Sequence, residues 1–150
     1  MKSYIKQQVI KYGWLLLLFV SVSISAQEDP ASQLIGTWLF DDQTSFSSMD
    51  SETKARMDSI PQLHSQLLSS YKGRKAFFGS DGTYTVTLAD GRSVTGSWQM
   101  TATGELQFTD PQGNQAYQKI GGLNATRMVL IPMDSGDFKN VIREWHYVKL

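Results

Sequence analysis

The chain has 150 residues with 14 basic and 14 acidic side chains, so its formal net charge at pH 7 is zero. This balance gives no electrostatic basis for binding nucleic acid, which is excluded as a predicted partner. Cysteine is absent, so neither disulfide bonds nor lipid attachment through a cysteine can form. The length suits one domain, which packing and backbone hydrogen bonds must stabilise without crosslinks.

The first 26 residues have the layout of a secretory signal peptide. Three lysines form a basic segment, an apolar run follows at residues 14–24, and Ala26 supplies a small residue for cleavage. The apolar run is too short for a membrane anchor, which needs about 20 residues. We therefore predict that residues 1–26 are removed and that the product is exported in soluble form, periplasmic or secreted. It would carry no integral membrane segment and no lipid anchor.

Removal of this segment would leave 124 residues. The segment contains three of the 14 basic residues, Lys2, Lys6 and Lys11, and no acidic residue, so the remainder has 11 basic and 14 acidic side chains and a net charge of −3. Residues 27–33 are predicted to form a flexible leader, and residues 34–150 a single barrel domain.

Short segments rich in Thr, Tyr, Val, Ile and Phe alternate with turn residues through the second half of the chain. Such residue types suit half-buried strands, and a spacing of about ten residues is typical of an antiparallel sandwich or barrel. Gly121 and Gly122 are interpreted as one of the turns. Together with one earlier segment, eight strands are predicted. They cover residues 36–40, 75–78, 83–88, 92–100, 105–109, 115–120, 126–131 and 141–149.

The alternation of residue types predicts the register of the hairpin around Gly91. A two-residue loop would mix polar and apolar side chains on both faces of this hairpin. A three-residue loop, residues 89–91 with Gly91 in the left-handed conformation, pairs Val86 with Val94 and gathers the apolar side chains on one face. We therefore predict the three-residue loop.

The next hairpin follows the same rule. A three-residue loop at residues 102–104 pairs Trp98 with Phe108 and Met100 with Leu106, which extends the same apolar face. Gly96 lies on that face, where its lack of a side chain is expected to leave space.

Residues 49–71 carry apolar side chains at intervals of three and four, a pattern typical of an amphipathic helix. Pro61 lacks an amide donor, so a break is expected near Ser59. Asp41 and Asp42 are interpreted as a turn that ends the first strand. Because the helix has an apolar face, it is expected to cover an open end of the barrel.

The motif Gly36-Thr37-Trp38, at the start of the first strand and ahead of a meander, resembles the Gly-x-Trp signature of lipocalins. Arg143, near the C-terminus, also resembles the late arginine of that superfamily. The chain is most similar to the small exported bacterial proteins called lipocalin-like, within the calycin superfamily. The resemblance implies that Gly36 and Trp38 close one end of the barrel. It also implies that Arg143 either stacks on Trp38 or points into solvent.

The position of the helix differs from that of lipocalins, where a helix follows the eighth strand. A helix between the first two strands resembles the fatty-acid-binding proteins, in which an Arg-x-Tyr pair holds a carboxylate. Here Arg143 and Tyr147 are four residues apart, yet side chains at this spacing on a strand point the same way. The predicted fold is all-β, an antiparallel up-and-down lipocalin-like barrel of about eight strands with a helical segment between the first and second.

Two functions from different classes remain open. The first is an exported protein that binds a small hydrophobic or amphipathic ligand inside the barrel, through Tyr84, Trp98, Arg143 and Tyr147. In the second, these aromatic side chains fill the barrel, which acts through its surface as an inhibitor or a cell-envelope interaction module. The volume that side chains occupy inside the barrel distinguishes these two functions.

No enzymatic activity is predicted. The two histidines, His64 and His146, lie far apart in the sequence, and no nucleophile, metalloprotease or phosphate-loop motif is present. Accordingly, no catalytic residue, metal ligand or cofactor is assigned.

Overall fold

The structure is a computed structural model that describes residues 29–133 and 141–150. The predicted signal peptide, residues 1–26, lies outside the described residues. None of the helices in the described ranges is long and apolar enough to cross a membrane.

Eight antiparallel strands form a closed barrel in which each strand pairs with the next and the last pairs with the first. This confirms the predicted fold class. The strands are β1 (Gly36–Phe40), β2 (Lys75–Phe78), β3 (Thr83–Thr87), β4 (Ser93–Met100), β5 (Glu105–Thr109), β6 (Gln115–Leu123), β7 (Arg127–Pro132) and β8 (Trp145–Lys149).

Both predicted hairpin registers are confirmed. Val86 lies opposite Val94 across β3 and β4, and Trp98 lies opposite Phe108 across β4 and β5. Gly91 and Gly104 end their loops with φ of 86° and 81°, a left-handed conformation that glycine adopts without steric cost. The three-residue loop therefore sets the register in both hairpins.

Two strand boundaries differ from the prediction by more than one residue. Gly121 and Gly122 form no turn, because β6 continues through them to Leu123 with a bulge between Ile120 and Gly122. Side chains of β7 cross over Gly121, where a Cβ atom would lie 2.9 Å from Cδ1 of Ile131. At the other boundary, residues 141–144 precede β8 and are not part of it.

Helical structure connects β1 to β2, as predicted. It consists of α2 (Asp42–Ser47), α3 (Ser51–Ser59) and α4 (Pro61–Tyr71), and the break before Pro61 is confirmed. Helix α2 was missed by the sequence analysis. Asp41 was interpreted as part of a turn after β1. It instead caps α2, because its carboxylate accepts a hydrogen bond from the amide of Thr44 at 3.0 Å.

A further helix, α1 (Pro30–Leu34), lies before β1. Residues 30–33, which the sequence analysis assigned to a flexible leader, belong to this helix. Leu34 is fully buried, and its carbonyl oxygen accepts a hydrogen bond from the indole of Trp38 at 2.7 Å. These two contacts hold α1 against one end of the barrel, which we call the closed end.

The core lies inside the barrel and is formed largely by inward-facing positions of β1, β2, β5, β7 and β8. Its fully or almost fully buried members include Trp38, Phe40, Ala76, Phe78, Leu106, Met128, Leu130 and Tyr147. Gly96 does not leave space in this interior, which corrects the sequence-based expectation. A Cβ atom there would overlap the carbonyl oxygen of Thr109, so the glycine permits a close approach of two backbones.

Candidate functional site

The end of the barrel opposite α1, which we call the mouth, lies where β1 ends, β2 begins, β7 ends and β8 begins. Phe40, the last residue of β1, contacts Phe46 of α2 and Tyr71 of α4, with ring centroids 6.3 and 5.4 Å apart. Trp145, the first residue of β8, lies 5.8 Å from the ring of Tyr71. Helices α2 and α4 are therefore attached to the mouth by aromatic contacts.

A groove of about 950 Å³ opens beside the mouth, between helices α3 and α4 and the end of β7. Its volume is in the range of small-molecule sites, roughly 300–1,000 Å³. Half of its twelve lining residues are apolar. They are Met57, Leu63, Leu67, Ile131, Pro132 and Val141.

Helix α4 leaves part of its apolar face uncovered. The helix has no fully buried residue, Leu63 is 37% exposed, and the neighbouring Ile60 is 42% exposed. Leu67 and Tyr71, by contrast, pack against the core. The helix is thus anchored by its C-terminal half, while its N-terminal half presents apolar surface at the groove.

The rest of the groove is polar and carries charges of both signs. Asp50, Ser51, Glu52, Thr53, Arg56 and Arg143 complete its lining. The amide and hydroxyl of Thr53 donate hydrogen bonds to Asp50 and hold the pKa of that carboxyl below its usual range. Arg143 lies 3.7 Å from the same carboxylate, and its side chain is 66% exposed. Such an exposed pair is weak, so the guanidinium keeps donors available to a ligand.

Of the predicted ligand-binding residues, Arg143 thus lies in the groove. It precedes β8 and does not project from it, so it does not share the inward face of Trp145 and Tyr147. It does not stack on Trp38 either, and the solvent-facing alternative describes its position. Its role in ligand binding stays a prediction.

Tyr84 and Trp98 lie inside the barrel. The ring of Tyr84 is 4.5 Å from Phe108 and 5.1 Å from Phe78, and Trp98 lies 5.4 Å from Phe78. The Trp98 indole donates a hydrogen bond to the carbonyl of Gly79 at 3.0 Å. Both side chains keep part of their surface accessible, so they are packed against the core without being sealed in it.

Tyr147 is almost fully buried, and its ring lies 5.4 Å from Phe40. Burial raises the pKa of its hydroxyl well above the usual value. The structure therefore brings Tyr84, Trp98 and Tyr147 to the barrel interior, as predicted, and separates Arg143 from them. Whether these interior residues bind a ligand is left as a prediction.

The closed end is built from the predicted Gly36 and Trp38 together with Lys149. The Lys149 ammonium lies 5.0 Å from the centre of the Trp38 ring and donates a hydrogen bond to the carbonyl of Gln33 at 3.0 Å. Gly36 has a φ of 126°, and a Cβ there would lie 3.1 Å from Cε of Lys149. Glycine therefore allows both the turn of the backbone and the passage of the lysine.

Sequence reasoning missed Arg74. Its guanidinium carbon lies 4.3 Å from the centre of the Tyr71 ring and 5.8 Å from that of Trp145, so the cation belongs to the mouth. The signal was available from alternation, because Arg74 precedes the buried Ala76 by two residues and therefore faces the same way. The residue stands just before the strand, which is why the strand pattern did not include it.

The histidines are not brought together. His64 lies on the exposed surface of α4, and the His146 ring contacts the Glu144 carboxylate at 3.1 Å on the outside of the barrel. Within residues 29–133 and 141–150, no three His, Asp or Glu side chains are grouped as metal ligands would be.

The fold and the groove define the chain as a closed eight-stranded antiparallel β-barrel with helices over one end. No protein-family model matches the sequence, and no curated protein matches it. Among solved structures, it is similar to a DUF4847 family protein from Bacteroides vulgatus, with 15% sequence identity and a TM-score of 0.46. That similarity covers 77% of this chain and 92% of the other.

Proposed function

We propose that this protein is an exported, non-enzymatic, lipocalin-like member of the calycin superfamily that binds a small amphipathic ligand at the barrel mouth. The observation that carries the proposal is the groove, which combines an apolar wall from α4 and β7 with charged groups at its edge. An amphipathic molecule fits this arrangement, because its apolar part would cover Leu63 and its polar part would reach Arg143 or Arg56.

The packing of the interior residues favours a ligand at the mouth over a ligand at the centre of the barrel. Phe78, Tyr84, Trp98 and Phe108 contact one another within the barrel, so bulk occupies the place that the sequence analysis reserved for a ligand. This filled interior is a feature of the second predicted function, a barrel acting through its surface. The proposed function combines features of both predictions. It keeps the small-molecule ligand of the first and the filled barrel of the second, with the ligand in the groove beside the mouth.

The decisive experiment is a titration of the wild-type protein with decanol, decanoate and a neutral lipophilic dye, followed by methyl NMR of leucine residues. We expect saturable binding that shifts the methyl resonances of Leu63. Leu63→Asp should weaken binding about tenfold or more, because a carboxylate in an apolar contact loses hydration without gaining a partner.

Gln62→Asp is the matched control, since it adds the same charge one residue away on the same helix at an exposed position outside the groove lining. Its affinity for the dye should stay close to that of the wild type. Absence of saturable binding to any of the three probes would refute the proposal. Weakening by Trp98→Phe but not by Leu63→Asp would move the ligand to the barrel interior, as the sequence analysis first had it.

A further inference from the structure

We infer that Arg74 is an anion-binding site at the mouth of the barrel, and that the ligand placed in the groove is therefore a carboxylate. The identity of the ligand as a carboxylate rests on the proposed function, which places a small molecule in the groove. The anion-binding site rests on the position of Arg74 alone.

The guanidinium of Arg74 is held in place and lacks a full set of acceptors. Its Nε atom is buried and has no hydrogen-bond partner. Among residues 29–133 and 141–150, no carboxylate forms an ion pair with it, although Arg92, Arg143 and His146 each have one. A buried donor left unpaired is costly, so it marks a position where an acceptor is missing.

The backbone and the neighbouring rings orient this side chain. The amide of Arg74 donates to the carbonyl of Tyr71, and its own carbonyl accepts from the amide of Phe40 at 2.9 Å. The rings of Tyr71 and Trp145 lie against the guanidinium. Such contacts give its N–H groups no hydrogen-bond acceptor, and an oxyanion would supply one. The charge of Arg74 also acts in the barrel interior, where it partly opposes the burial that raises the pKa of Tyr84 to about 12.

The groove and this cation are built on neighbouring residues of the same two segments. Leu67 lines the groove, and Tyr71, one helical turn further along α4, stacks on Arg74. Arg143 lines the groove, and Trp145, two residues further along, is the second ring beside Arg74. A molecule with an apolar tail and a carboxylate head would use both parts, and the charge-assisted hydrogen bond would favour it over a neutral analogue.

The test follows the Nε–H resonance of Arg74 by ¹⁵N NMR of the wild-type protein, assigned through bonds, during titration with acetate, decanoate and decanol. Acetate probes the cation alone, decanol the groove alone, and decanoate both. We expect acetate and decanoate to shift this resonance saturably and decanol to leave it unmoved. The Nε–H of Arg92 serves as an internal control, because it already donates to Asp90 at 2.7 Å on the exposed hairpin loop.

Arg74→Gln should weaken the binding of decanoate about tenfold and that of decanol less than about twofold. Arg92→Gln should change neither affinity. If decanol and decanoate move the Leu63 methyl groups while the Arg74 resonance stays still, the inference is wrong and the proposed function stands. If acetate moves the Arg74 resonance but no probe moves the Leu63 methyl groups, the proposed function is wrong and the anion site stands. An Nε–H that is already hydrogen-bonded in the unliganded protein would also overturn the inference.

Discussion

The ammonium of Lys149 lies 5.0 Å from the centre of the Trp38 ring and joins the last strand to the first at the closed end. The same ammonium donates to the carbonyl of Gln33, so it also fixes α1, whose Leu34 carbonyl accepts the Trp38 indole. One cation thus connects three segments that are distant in the sequence. Stacking on Trp38 was one of the two positions that the resemblance implied for Arg143, and a lysine six residues further along the chain occupies it.

Replacing Lys149 by methionine keeps the length of the side chain and removes the charge. We expect Lys149→Met to lower the free energy of unfolding by about 1–2 kcal/mol, through loss of the cation–π contact and of the hydrogen bond to Gln33. Lys75→Met, on the exposed outer face of β2, is the control and should change stability by less than about 0.5 kcal/mol. Urea unfolding measures both, and equal effects would contradict a special role for Lys149.

Gly96 provides a second test, because its role differs from the sequence-based expectation. A Cβ atom at this position would overlap the carbonyl oxygen of Thr109, so Gly96→Ala must push two strands apart. We expect a loss of roughly 1–3 kcal/mol in the free energy of unfolding, as for other overpacked sites. The exposed neighbour Ser97→Ala should be close to neutral in the same urea titration. An equally stable Gly96→Ala would mean that space does exist beside β4.

The two hairpins were predictable because their information is local. Alternation of polar and apolar residues together with a left-handed glycine specifies the register within about fifteen residues, as at Val86 and Val94. The role of Gly96 depends instead on how β4 and β5 approach each other in a closed barrel. Nothing in the neighbouring sequence distinguishes a glycine that leaves space from one that allows backbones to touch.

The candidate site was predictable only in part for the same reason. Tyr84 and Tyr147 reach the interior because strand alternation holds along β3 and β8. Arg143 could not be placed in this way, because it lies two residues before β8, outside the alternating strand. Alternation does place Arg74 on the same side as Ala76, but its contacts with Tyr71 and Trp145 depend on how α4 packs on the mouth, which is a property of the assembled tertiary structure.

Stability at alkaline pH depends in part on the Tyr84 hydroxyl. Burial raises the pKa of the Tyr84 hydroxyl from 10.0 to about 12, and the charge of Arg74 lowers it in part. Below pH 10 the hydroxyl is protonated in both states, and the raised pKa has no effect on stability. Between pH 10 and 12 the unfolded chain loses this proton while the folded protein keeps it. The free energy of unfolding therefore falls as pH rises through this window, by up to about 1.4 kcal/mol per pH unit for this group.

Urea unfolding of the wild type and Tyr84→Phe at intervals across this window measures the contribution of Tyr84. The variant keeps the ring that contacts Phe108 and should lose stability less steeply with pH. The buried Tyr147, whose pKa is also raised, leaves it a residual slope. Tyr117→Phe, on the outer surface, should retain the wild-type slope. The charge of Arg74 lowers the pKa of Tyr84, so Arg74→Gln should raise that pKa further. The pH range over which stability is lost should then extend to higher pH. A Tyr84→Phe slope equal to that of the wild type would show that the hydroxyl is not buried, and that the interior is open to water at this position.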